Sequence, residues 1–166
     1  FPYTTLFRSA SLTVWTWQDF DATRPNFDAL LAVFAKLIAS VPAHGCLIIP
    51  ADDPAAVRIA EQAACKVVTV GFDPSAMAVI SEVQFHATGS EFQLLGCAIA
   101  ISHCGKMNVM NAAMAVLAAV QFGVTPQQAA AALRVFKGVQ NRQEEHILRP
   151  ENQAEYIKLA LNQIKK

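Results

Sequence analysis

Residues 46–72 read CLIIPADDPAAVRIAEQAACKVVTVGF, and this stretch decides the fold. CLIIP is a short, fully apolar run, and KVVTVGF is a second one rich in β-branched residues. Neither alternates polar with apolar, so each predicts a strand buried on both faces. Between them ADDPAAVRIAEQAA predicts a helix, with an Asp cap and Pro54 close to its start. Strand, helix, strand at this spacing predicts parallel neighbours joined by a crossover helix.

The same alternation extends upstream. NFDALLAVFAKLIASV (26–41) places Phe27, Leu30, Leu31, Phe34, Ile38 and Val41 at three- and four-residue steps, which predicts a helix. Asn26 is its expected cap, with Asp28 at the positive end of its dipole. SLTVW (11–15) is expected to be the end of a strand. The fold class predicted is therefore α/β, a Rossmann-like parallel sheet with flanking helices.

Downstream the texture changes. VISEVQFHATGSEFQLLGCAIAIS (79–102) has partial alternation and a Thr-Gly-Ser break, which predicts a small antiparallel hairpin turning around residues 88–90. GKMNVMNAAMAVLAAVQFGV (105–124) predicts a helix that is apolar on nearly every side. TPQQAAAALRVF predicts another, with Thr125 as cap, Pro126 first and Gln128 completing a capping box. The chain leaves it through Gly138. HILRPENQAEYIKLALNQIKK (146–166) is polar and helix-prone and is expected to be a tail of separate origin. Residues 1–9, FPYTTLFRS, match the in-frame translation of a common sequencing adapter, TTTCCCTACACGACGCTCTTCCGATCT. They are expected to lie outside the natural domain, taken as residues 10–145, with the natural protein extending upstream.

Composition narrows the function classes. The 166 residues hold thirteen basic and thirteen acidic side chains, so no net charge marks out a nucleic-acid or anionic-membrane partner. No apolar run reaches membrane-spanning length. Cys46, Cys65, Cys97 and Cys104 are far apart without a C-x-x-C pair, the pattern of free thiols in a reducing cytoplasm. His103 and Cys104 are adjacent, but two neighbours without further ligands make a weak metal site, and no metal residue is assigned.

Asn108 and Asn111 are the polar exceptions, expected together in the first turn of an apolar helix. Asn is unfavourable inside helices because its amide competes with the backbone for hydrogen bonds. Two amides three residues apart share one face. Each pairs a donor with an acceptor, which matches the N6 and N7 edge of adenine. Gly105 before them allows close backbone approach. Capping is the alternative, and it accounts for one asparagine better than for two. GK at 105–106 is not a phosphate loop, since Ala100 stands where the first Gly of that motif belongs and Met107 where Ser or Thr belongs.

From Gly105 to Glu144 the chain resembles the end of the Mur ligase central domain. That family shows G-x-H-N-x-x-N-A, an Ala-rich helix, a Gly, a second helix and then F-x-G-V-x-R-R-x-E. The match falls on Gly105, Asn108, Asn111, Ala112, Gly123, Phe136, Gly138, Val139, Arg142 and Glu144. The helix-strand-turn ending in ADDP is also similar, and the likeness runs over roughly residues 11–145. Within the family the pattern is nearest to the peptidoglycan-recycling branch, with the muramate–alanine ligases next.

The resemblance implies a use of ATP and magnesium to phosphorylate a carboxylate on UDP-N-acetylmuramate. The amine of a peptide or amino acid then displaces phosphate to form an amide. It implies that Asn108 and Asn111 contact adenine and that Arg142 contacts phosphate through its fixed guanidinium fork. Met107 replaces the family's His, and Asn141 its first Arg. WQDFDA (17–22) aligns with the family's N-x-E-F-D-H, keeping Asp19, Phe20 and Asp21 but putting Trp17 for Asn and Ala22 for His. The phosphate loop G-T-x-G-K-T does not occur in these residues. The expectation is a ligase fragment inactive alone, with a non-catalytic nucleotide-binding module or an inert structural fragment as alternatives.

Overall fold

The computed structural model describes residues 7–9, 12–14 and 27–137, with side chains from residue 31 onward. Arg142, Asn26, the WQDFDA segment and the 146–166 tail lie outside the described residues.

Strands β1 (Phe7–Ser9), β2 (Leu12–Val14), β3 (Cys46–Pro50), β4 (Lys66–Gly71) and β5 (Ala78–Val79) form one sheet in that order. β1 runs antiparallel to β2, and β2 through β5 are parallel. Residues 7–9, expected outside the domain, thus pair with residues 12–14 at the edge of this sheet. Helices α1 (Phe27–Ala39) and α2 (Pro54–Ala60) are the crossovers. The order β2-β3-β4 steps one way along the sheet, and crossovers of constant hand then fall on one face.

The core follows the period-two geometry of β3. Leu47 and Ile49 join Leu31, Phe34, Ile38 and Ile59 under α1 and α2. Cys46 and Ile48, with Val68 and Val70 of β4, face the other way into a larger cluster. That cluster is closed by α3 (Lys106–Gln121), whose Val109, Met110, Ala112, Ala113, Met114, Val116 and Leu117 are all buried. A helix apolar on nearly every side belongs between two layers. Here the second layer is antiparallel.

The single hairpin expected around residues 88–90 is a three-stranded sheet with two turns. It comprises β6 (Ser81–His86), β7 (Gly89–Leu94) and β8 (Cys97–Ile101), joined at 87–88 and 95–96. The second turn carried no Asn-Gly or Asp-Gly signal because its first residue is Leu95, held at φ 51° beside Gly96 at φ 70°. After β5, Ile80 N donates to Gly71 O at 2.8 Å before the chain enters β6. Helix α4 (Pro126–Val135) then packs beside β8.

Helix ends follow the sequence closely. Asp53 Oδ1 accepts from Ala55 N at 2.9 Å and Ala56 N at 3.2 Å, capping α2. Thr125 and Gln128 form the reciprocal box expected of them, at 3.2 Å and 2.9 Å.

Candidate functional site

In open parallel sheets, ligands collect beyond the carboxyl ends of the strands. Here that end is built by the turns after β3 and β4 and by the mouth of α3. The mouth opens on Gly105, the N-cap, at φ 104° and ψ 148°. A Cβ there would meet nothing within 4 Å, so the left-handed backbone demands glycine while the space before the helix stays open.

Helix α3 begins at Lys106, so Asn108 is its third residue and Asn111 its sixth. The two were expected together in the first turn; the structure moves Asn111 into the second, on the same side one turn along. Asn108 is half-buried and Asn111 exposed. The N-cap of α3 is Gly105, a position held by neither Asn111 nor Asn108. The Asn108 Nδ2 donates back to the Cys104 carbonyl at 2.8 Å. A carbonyl only accepts, so the amide nitrogen is fixed toward Cys104.

The approach to the mouth is tied to Phe136, the residue after α4. Ser102 Oγ donates to the Phe136 carbonyl at 2.8 Å and lies 3.2 Å from His103 Nδ1. The His103 and Phe136 rings are 6.5 Å apart, tilted by 41°. His103 is thus engaged with Ser102 and Phe136. No group of three or more His, Cys, Asp or Glu that could hold a metal occurs among the described residues. Magnesium carried by nucleotide needs few protein ligands, because phosphate and water oxygens supply most of its shell.

Two residues that sequence reasoning passed over complete the mouth. Asp52, read only as part of a turn, accepts from Phe72 N through Oδ2 and from Asp73 N through Oδ1, both at 3.1 Å. Lys106 Nζ sits 4.5 Å from the centre of the Phe72 ring, a cation–π distance. Local sequence held no signal for either, since the partners are some 20 and 34 residues away. Beside them Ser75, through its hydroxyl and then its N–H, holds the Asp73 carboxyl below the usual carboxylate range.

A separate open groove of about 400 Å³ runs between β7, β8 and α4, lined by Glu91, Gln93, Ala98, Ala130 and Arg134 among others. Neither Asn108 nor Asn111 lines it.

A family model described as the Mur ligase middle domain matches residues 8–119. The UDP-N-acetylmuramate–L-alanine ligase of Clostridium acetobutylicum is 30% identical over 125 residues, covering 72% of this chain and 27% of that protein. A murein peptide ligase structure from Psychrobacter arcticus superimposes with TM-score 0.68 at 23% identity, over 83% of this chain and 29% of that one. The UDP-N-acetylmuramate:L-alanyl-γ-D-glutamyl-meso-diaminopimelate ligase of Neisseria meningitides gives 0.59 at 22%, over 74% and 39%. The chain spans about a quarter of the length of the curated relatives it matches. With the match running over well more than half its residues, and the parallel sheet, antiparallel sheet and asparagine-bearing helix in place, this chain belongs to the Mur ligase family, in its middle domain.

Proposed function

We propose that this chain is the nucleotide-binding part of an ATP-dependent ligase that builds an amide on UDP-N-acetylmuramate in the cytoplasm, for peptidoglycan synthesis or recycling. Asn108 and Asn111 meet the adenine edge, and Arg142 meets phosphate. The observation that carries this reading is the mouth of α3. Two amides stand one turn apart, open space adjoins Gly105, and Phe136, six residues before Arg142 in the sequence, is bonded to Ser102, three residues before Gly105. The family's use of ATP supports it. The four thiols, none in a disulfide, suit a reducing compartment.

In the reaction proposed, a substrate carboxylate oxygen takes the γ-phosphoryl group of ATP and ADP leaves. The amine nitrogen of a peptide or amino acid then attacks the acyl carbon, inorganic phosphate departs and the nitrogen loses a proton. This chain's residues hold the base and a phosphate; a Walker-type cradle for the triphosphate is not among its 166 residues.

The test is a titration of the chain, labelled at its side-chain amides, with ATP and magnesium. The Asn108 and Asn111 NH2 signals are expected to move with ATP and far less with GTP, whose O6 presents an acceptor where adenine offers a donor. Asn108→Ala with Asn111→Ala should weaken the interaction by roughly tenfold or more. Amide signals unmoved at saturating ATP would overturn the reading.

A further inference from the structure

Residues 72–77 join two parallel neighbours, β4 and β5, without a helix. Parallel connections ordinarily need a dozen residues or more. So short a loop must find partners for its backbone amides, and here side chains supply them. Asp52 accepts from Phe72 N and Asp73 N, Asp73 Oδ1 accepts from Ser75 N at 2.8 Å, and Thr69 Oγ1 accepts from Met77 N at 2.9 Å.

Among the described residues, Asp52 reaches this loop from the end of another strand, β3. Gly71 makes room for it: a Cβ built there would stand 2.7 Å from Asp52 Oδ1 and 3.1 Å from Ala51 Cβ. The residue whose N–H Asp52 holds is Phe72, and the Phe72 ring is the seat of the Lys106 ammonium on the first turn of α3. A chain of contacts therefore runs from the end of β3, through the loop after β4, to the helix that carries Asn108 and Asn111.

We propose that Asp52 is the positioning residue of the α3 mouth, acting through Phe72 to seat Lys106. The carboxylate fixes the Phe72 backbone, the backbone fixes the ring, and the ring holds the ammonium. The importance of this seat for nucleotide rests on the function proposed above; the seat itself does not.

The test reads the Lys106 ε-methylene proton signals of the whole chain without nucleotide. Protons above an aromatic face are displaced upfield by its ring current. Phe72→Leu should abolish that displacement and Phe72→Tyr should keep it. Asp52→Asn should lose it, because an amide nitrogen cannot accept the second N–H. Gly71→Ala should lose it too, by pushing the carboxylate away. Asp53→Ala is the control: it removes the cap of α2 and lowers the melting temperature, yet should leave the Lys106 signals in place.

Displacement that survives Asp52→Asn and Gly71→Ala but vanishes in Phe72→Leu would overturn the proposal. So would equal loss in Asp53→Ala, which would mean general loosening. If Asp52→Asn fails to fold, Gly71→Ala decides alone. Failure of ATP to bind sinks the functional reading and leaves these signals unaffected.

Discussion

Leu95 shows most directly how a single residue is constrained by the fold. It occupies the first central position of a two-residue turn, at φ 51°, with 44% of its surface exposed. Left-handed backbone is unfavourable for a branched side chain, and Asn tolerates it better. Leu95→Asn is expected to stabilise the chain by about 1 kcal/mol, read as a higher urea midpoint with an unchanged slope. The cysteines diverge for a different reason. Burial pushes the Cys46 thiol above its ordinary range, with Lys66 opposing in part, whereas Cys104 is exposed. Alkylation at neutral pH should therefore modify Cys104 first and reach Cys46 only on unfolding, as peptide mass mapping would show. A Cys46 modified at native rates would contradict its place in the core.

At the scale of elements, α3 and α4 are held by different means. Helix α4 is short, with Ala129 its only buried residue, and depends on its ends. Thr125→Ala removes one half of the capping box and should cost about 1 kcal/mol in thermal or chemical unfolding. Helix α3 depends on packing, with Ala113 and Val109 fully buried between the two sheets. Ala113→Leu adds volume where none is available and should destabilise by about 1–3 kcal/mol, although leucine is an excellent helix former. A neutral result would show that the layer above β3 is loosely packed.

For the whole molecule, the organising fact is a parallel sheet with two unlike covers. One face carries α1 and α2; the other carries α3, with β7 beyond it. The helix that bears the asparagines is thus packed into the core along one side, with Asn108 half-buried and Asn111 exposed toward its start. Positioning and charge stabilisation supply nearly all of phosphoryl-transfer catalysis. On the function proposed above, 166 residues that hold no Walker-type loop would supply little of either. A coupled phosphate-release assay with ATP, magnesium, UDP-N-acetylmuramate and candidate amines is expected to show no substrate-dependent turnover. Turnover above background would refute that expectation.

Sequence by itself determined the repeating strand-helix order, the helix limits at Asp53 and Thr125, and the family to which the chain belongs. These rest on periodicity, on caps a few residues from their partners and on motifs contiguous along the chain, so neighbours in sequence suffice to reveal them. Only tertiary structure decided that Asn108 turns its amide back to Cys104, that Asp52 grips the loop after β4, and that Lys106 rests on Phe72. It also decided that the alternating stretch makes three strands and two turns. Asp52, Lys106 and the second turn depend on partners or backbone geometry that no local pattern encodes, and Asn108 had two competing local uses. For Asn108 and Asp52 the choice was made by which backbone groups packing left to be satisfied.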